Sequence, residues 1–188
     1  MRDDHLKNLD WDLIPASAQS AHMHMALDEV ILDRVIEGAR RPTVRFWEWT
    51  EPALVIGSHQ SVSNEVDLPT AERLGFTVTR RMSGGGTMLC EPGRTITYSM
   101  YLPESAVEGL SFRQSYAALD AWAVRAFNGL GVPASYREIN DIISPRGKIA
   151  GAGDFAFDDE LGHDCPPETG AAQLPRSRTV CAACSVAS

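Results

Sequence analysis

The sequence predicts a mixed α/β (α+β) domain over residues 11–152, a sheet flanked by two helices. Two long amphipathic faces and a series of short β-forming runs carry that reading. The first face is Met23, Ala26, Leu27, Val30, Ile31 and Val35, so a helix is expected near 20–38, capped by Ser17 or Ser20 and stopped at Gly38. Asp28, Glu29, Asp33 and Glu37 lie mostly off that face. His22 and His24, two residues apart, point to different sides and read as surface or boundary residues. The second helix is expected over 111–130. Ser111 and Gln114 stand at capping-box spacing, Phe112, Tyr116, Leu119, Ala123, Ala126 and Leu130 form its face, and Gly131 closes it. Its aromatic residues sit at core spacing and are assigned to packing.

The remaining elements follow in chain order. Residues 1–16 read as a polar lead-in with an apolar patch at Trp11, Leu13 and Ile14. Thr43 to Trp49 is rich in β-formers, Pro52 marks a turn, and Leu54-Val55-Ile56-Gly57 reads as a short buried strand. The polar triplet Ser58-His59-Gln60 beyond it is either part of a ligand site or a solvated loop. Asp67 to Gly75 gives a short helix and Phe76 to Arg81 a strand. A glycine-rich loop follows, then an apolar run, a turn at Glu91-Pro92-Gly93, and the alternation Ile96, Tyr98, Met100, Leu102. Pro145-Arg146-Gly147 marks the turn of a hairpin.

A chain of 188 residues with 44% hydrophobic and 22% charged content fits one globular domain with a sizeable core. The net charge of −8 argues against a nucleic-acid binder that works by counterion release. No apolar run reaches the ~20 residues of a membrane span, and the polar start Met1-Arg2-Asp3-Asp4-His5 lacks a signal-peptide core, so a cytoplasmic location is expected. Cys181 and Cys184 have the spacing of half a zinc site, but no second pair completes it, and the cysteines read as free thiols in a reducing compartment.

Two stretches carry chemistry. In the first, Arg80 and Arg81 end a strand and Ser83-Gly84-Gly85-Gly86-Thr87 follows. Three successive glycines weaken any regular element but let backbone N–H groups approach an anionic ligand, and guanidinium groups suit carboxylate or phosphate. The second is Asn140-Asp141, six residues, then Lys148-Ile149-Ala150-Gly151, with Asp141 before the hairpin turn and Lys148 just after it.

Together these two motifs resemble the lipoate–protein ligase A family of the biotin/lipoate ligase superfamily. The Met25-Ala26-Leu27-Asp28-Glu29 helix, the stretch from Trp47 through Pro52 to Gly57, and the order of elements are also similar to that family, over about residues 11–152. The resemblance implies a largely antiparallel mixed sheet with packed helices, of the biotin/lipoate ligase catalytic-domain type. It implies that lipoate is activated with ATP to lipoyl-adenylate, with Mg²⁺ helping to neutralise the triphosphate. The lipoyl group then passes to a lysine of a lipoyl domain, in 2-oxoacid dehydrogenase complexes or the glycine cleavage H protein. By the same resemblance Lys148 is catalytic, placed between the acyl carboxylate and the α-phosphate. Ser83, Gly84, Gly85 and Gly86 bring backbone donors to the nucleotide and acyl group, and Arg81 supplies positive charge. Thr87, Met88, Leu89 and Cys90 line the site, and Asp141 belongs to the binding set. No protein ligand for a metal is assigned.

Two departures stand out. Many relatives carry a histidine where this chain has Cys90, and a thiol does not offer the same hydrogen bonding. After Gly151, nothing in residues 153–188 resembles the family or shows a useful period. That segment reads as an irregular, disordered tail, truncated or out of frame, which would leave the domain incomplete, with an exposed sheet edge beside the Lys148 hairpin and weak or no activity. Two alternatives stay open: an octanoyl- or lipoyl-transferase that uses a cysteine nucleophile and no ATP, and a non-catalytic lipoate-binding remnant that needs a partner chain.

Overall fold

The computed structural model describes residues 4–153 and 179–187. The elements are α1 (Asp4–Lys7), β1 (Asp12–Gln19), α2 (Ala21–Ile36), β2 (Thr43–Trp49), β3 (Ala53–Ile56), α3 (Val62–Glu65), α4 (Leu68–Arg73), β4 (Thr77–Arg80), β5 (Met88–Cys90), β6 (Thr95–Pro103), α5 (Phe112–Gly129), β7 (Ser135–Arg137), β8 (Asp141–Ser144), β9 (Gly147–Gly153) and β10 (Thr179–Ala187), with a 3₁₀ turn at Glu104–Ala106. A seven-stranded sheet runs β1-β2-β6-β10-β9-β8-β7, and a three-stranded sheet runs β4-β3-β5. Among the described residues only the β1/β2 and β3/β4 pairs are parallel. The domain is therefore mixed α+β and largely antiparallel, as expected.

The large sheet is covered on both faces, and β6 shows why. Tyr98, Met100 and Leu102 pack with Leu119 and Ala123 of α5, while Tyr101, one residue out of phase, packs with Ile31, Leu32 and Val35 of α2. Strand alternation alone sends these two sets to opposite sides. On the α2 side the small sheet closes over the large one through Trp47, Trp49, Ala53, Val55 and Cys90. Both long helices begin as the sequence indicates. Ser20 accepts from the Met23 N–H, and Ser111 with Gln114 forms a reciprocal capping box.

Two features depart from the sequence reading. The buried face of α2 is rotated: His24 and Asp28 point inward, while Met23 and Val30 are exposed. The inward polar pair is tolerated because each finds buried hydrogen-bonding partners. The second departure is β10, which lies inside the segment read as an irregular tail. Its backbone pairs with β6 along its whole length and with β9 from Ala183 to Val186, so β9 is not a sheet edge. A run of β-branched and small residues, Thr179 to Ala187, forms a strand here because both neighbours supply ladder partners, although it has no long apolar period of its own. Residues 154–178, the rest of that segment, lie outside the described residues. Among the described residues no helix is long and apolar enough to cross a membrane.

Candidate functional site

The small sheet builds one wall of the site. β4 ends at Arg80 and the glycine loop leads into β5, folding back against the end of β3. Arg81 is buried, and its guanidinium donates to the end of β3 and to the glycine loop. Nη1 donates to the Val55 carbonyl (3.0 Å), Nη2 to the carbonyls of Gly84 (2.6 Å) and Gly86 (2.8 Å), and Nε to Ser83 Oγ (3.1 Å). The expected role of Arg81 as a charge offered to ligand is thus modified: its guanidinium is the post around which the loop is wound. Burial pushes its pKa down from the usual guanidinium value, and the surrounding carbonyls explain how a buried cation is accommodated. Arg80 braces the neighbouring turn, donating through Nη1 to the carbonyls of Gly57, Ser58 and Gln60.

The carbonyls of Gly84 and Gly86 are turned toward Arg81, and the amides of the loop are left over. Among the described residues the N–H groups of Gly84, Gly85 and Gly86 meet no backbone or side-chain acceptor of the protein. Gly85 adopts φ +93°, a left-handed conformation that favours glycine. Gln60, from the polar triplet, locks the loop's exit: its Oε1 accepts from the Gly57 N–H (2.8 Å) and from the Thr87 hydroxyl (3.1 Å).

The large sheet provides the facing wall. Gly85, Gly86, Thr87, Met88 and Arg81 line an open cleft of about 370 Å³ together with Asn140, Lys148 and residues 149–152 of β9. Lys148 Nζ lies 2.7 Å from Asp141 Oδ1, and Arg137 Nη2 lies 2.6 Å from Asp141 Oδ2. Burial alone would raise the Asp141 pKa, but the hydrogen bonds from Lys148 and Arg137 outweigh it and hold the carboxyl below its usual range. Asn140 ties this corner together, donating through Nδ2 to the Ala152 carbonyl and accepting from the Ala152 N–H.

Behind the cleft lies a narrow slot that shares Arg81 and Met88 with it. The slot is lined further by Met25, Asp28, Trp47, Trp49, Val55, Met82 and Ser83, and holds about 20 Å³, roughly one water's worth of space. Its floor is a buried polar cluster. The His24 Nε2–H donates to the Glu48 carbonyl (2.8 Å), so Nδ1 accepts from Arg45 Nη2 (2.9 Å). A carbonyl cannot donate and a guanidinium cannot accept, so these partners require a neutral imidazole. Burial, the largest influence, and the Arg45 charge lower the His24 pKa to about 4. Asp28 accepts from Ser99 Oγ (3.1 Å) and Tyr101 Oη and faces Arg45 Nη1 at 3.4 Å. Burial raises its pKa, with Arg45 and the two hydroxyls acting the other way. Arg45 also stacks on the Trp47 ring, 4.7 Å from its centroid.

The other expected site residues fall as strand geometry dictates. Met88 and Cys90 share one face of β5, and Leu89, on the other, is 57% exposed. Leu89 and Cys90 therefore do not line the cleft, contrary to expectation. Cys90 is fully buried and its thiol is pushed up to about 12 by desolvation, which Arg81 only partly opposes. Gly84 contributes its carbonyl to Arg81 and Ser83 borders the slot. Among the described residues no group of three or more His, Cys, Asp and Glu side chains could hold a metal ion.

Residues 20–164 match the lipoyl protein ligase A/B catalytic domain. The chain belongs to that family. Octanoyltransferase LipM of Oceanobacillus iheyensis is 34% identical over 127 residues, covering 67% of this chain and 46% of the relative. Among solved structures, a lipoate-protein ligase A with ATP bound is similar at TM-score 0.73 and 19% identity, over 95% of this chain and 67% of that one. A bi-partite lipoate protein ligase from Thermoplasma acidophilum, described with its E2 lipoyl domain, is similar at TM-score 0.70 and 18% identity, over 96% and 62%. These structural likenesses establish the fold. The chain spans about half the length of the curated relatives it matches. The glycine loop and the lysine hairpin line one cleft. Sequence reasoning missed the buried set His24, Asp28 and Arg45. Its available signal was the spacing of Ala21, His24, Asp28, Ile31 and Val35, a second period that fits a helix as well as the apolar one.

Proposed function

We propose that this chain performs the acyl-activation and acyl-transfer chemistry of protein lipoylation. The observation that carries the reading is that the lysine-lined cleft and the slot adjoin, sharing Arg81 and Met88 as lining residues. An acyl chain lying in the slot would present its carboxylate to the cleft. There Lys148 would stabilise charge developing at the α-phosphate of ATP as the carboxylate oxygen attacks and pyrophosphate departs. The loop amides of Gly84, Gly85 and Gly86 would receive anionic oxygens of the nucleotide or acyl group. In the second step the amine of a lysine on a lipoyl domain attacks the acyl carbonyl, AMP leaves, and an amide forms with loss of a proton.

Lipoate or octanoate is the acyl substrate. Neither enters a 20 Å³ slot without rearrangement, and the three methionines on its walls, Met25, Met82 and Met88, are the unbranched side chains best able to give way. Mg²⁺ comes with ATP as part of the nucleotide substrate, since Asp141 is already held by two cations. The acceptor is a lipoyl domain of a 2-oxoacid dehydrogenase complex or the glycine cleavage H protein, and the reaction is placed in the cytoplasm.

The identity to LipM favours a second reading, octanoyl transfer from a thioester carrier without ATP. That route needs a thiolate. Cys90 is unsuited to supply it, and the side chains of Cys165, Cys181 and Cys184 lie outside the described residues. Release of pyrophosphate with lipoate and ATP supports the first reading. Iodoacetamide-sensitive transfer from octanoyl-acyl carrier without ATP supports the second. Tight acyl binding with neither reaction points to a remnant that needs a partner chain.

A further inference from the structure

We propose that Gly151 is a positioning residue for Lys148: its bare backbone is the floor over which the lysine stem lies to bring the ammonium to Asp141. The inference rests on the functional reading above for its consequence in catalysis, but not for its geometry. A Cβ at Gly151 would lie 2.8 Å from both Cε and Nζ of Lys148, closer than real Cβ contacts come. The backbone of Gly151 does not need glycine, since its φ lies outside the left-handed region. What the position needs is space.

The register explains how the two residues meet. Residues three apart on a regular strand point to opposite faces. The β8–β9 ladder is irregular here: Ile142 pairs with Ala150, but Ile143 pairs with Lys148. Ile149 is therefore an extra residue, and such a bulge reverses the alternation. Lys148 and Gly151 come to share a face, and Asp141 is the direct cross-strand partner of Gly151. The lysine thus reaches along its own strand, across an empty position, to the carboxylate opposite that position. Arg137 holds the far oxygen of the same carboxylate, so Asp141 is fixed from one side and fixes Lys148 from the other.

Any side chain at 151 would occupy the path of the stem. Because the atoms in conflict are the end of a flexible side chain, the lysine would swing away while the strand stayed in place. The expected result is a folded protein whose ammonium is misplaced.

The test is Gly151→Ala in the full chain, beside Lys148→Met and the double variant. The Asp141 carboxyl is followed by NMR titration, which needs no activity. Expected is an upward move of the Asp141 pKa in Gly151→Ala, toward its value in Lys148→Met, with the thermal midpoint near that of the parent. Where the parent makes acyl-adenylate, kcat should fall about tenfold or more with KM little changed. An unchanged Asp141 titration in a folded Gly151→Ala protein would overturn the proposal. Should Gly151→Ala unfold, a folded double variant traces the fault to the lysine and supports it, whereas an unfolded double variant assigns the glycine to strand packing and refutes it. A parent without adenylation activity defeats the functional reading alone, because the titration still decides the role of Gly151.

Discussion

Gly57, at the end of β3, lies against Gly85 backbone to backbone. A methyl group on Gly57 would fall under 3.0 Å from the Gly85 carbonyl oxygen and 3.3 Å from the carbonyl carbons of Gly84 and Gly85. No flexible side chain is there to yield, so the glycine loop itself would have to move. Gly57→Ala should cost about 1–3 kcal/mol, the usual scale of overpacking, and, on the ligase reading proposed above, weaken nucleotide binding. Thermal unfolding and a nucleotide titration check both; an unshifted midpoint with normal binding would show that the loop has slack.

Arg81→Ala removes four hydrogen bonds from a buried guanidinium and leaves carbonyls of Val55, Gly84 and Gly86 without that donor. The loss should exceed about 2 kcal/mol of stability, so folding suffers as well as binding. Arg81→Lys should rescue little, because one ammonium cannot span acceptors that a planar fork reaches at once. Denaturant unfolding of the three proteins decides this, and a fully stable Arg81→Ala would return the residue to a ligand-facing role.

Lys148→Ala should leave the fold intact, since its side chain is about half exposed. On the ligase reading proposed above, any adenylation by the parent should fall by at least ~10²-fold, the scale for losing one positioned electrostatic group. Single-turnover formation of acyl-adenylate measures it directly, and an undiminished rate would take Lys148 out of the chemistry.

His24 makes stability depend on pH. Its pKa is about 4 in the native protein against 6.5 for the free side chain, so the unfolded chain takes up a proton first as pH falls. The stabilisation is complete above 6.5 and is lost as pH drops toward 4, on the order of 3 kcal/mol. Asp28, with its raised pKa, acts in the opposite sense. The difference between parent and His24→Gln in urea unfolding from pH 7 to pH 4 isolates the histidine. A difference that is flat across the range would mean that the imidazole takes up its proton at the same pH in the fold as in the unfolded chain.

Cys90 should resist alkylation. With the thiol buried and its pKa near 12, iodoacetamide at pH 8 should modify it only after unfolding. Cys90→Ala should keep any acyl-transfer activity of the parent. Rapid native labelling at Cys90, mapped by mass spectrometry, would reopen it as a nucleophile.

Much of this arrangement is written in the sequence because it is local. The capping serines of α2 and α5, the strand Thr43–Trp49, the glycine loop and the hairpin at Pro145 each depend on residues a few positions apart, and all appear close to where they are expected. What local patterns cannot carry is a partner far along the chain. Arg45 and Ser99 make sense of an inward Asp28, and Gly85 makes sense of Gly57. The bulge at Ile149 likewise depends on pairing with β8, so the meeting of Lys148 with Gly151 cannot be read from their spacing. Strand β10 is the extreme case, since its composition gains meaning only between two neighbours.

The place of β10 also sets an order of events for the newborn chain. Within the large sheet, among the described residues, β9, β8 and β7 connect to β6, β2 and β1 through β10. Its partners were made much earlier: Thr179 stands opposite Pro103, and Ala187 opposite Thr95. Such distant pairings form late and slowly. The glycine-loop wall is complete with β5, whereas the lysine wall, packed on α5 through Ile142 and Ala150, joins the large sheet only when β10 pairs with both β6 and β9. The two walls of the cleft are thereby completed in sequence, the lysine wall last.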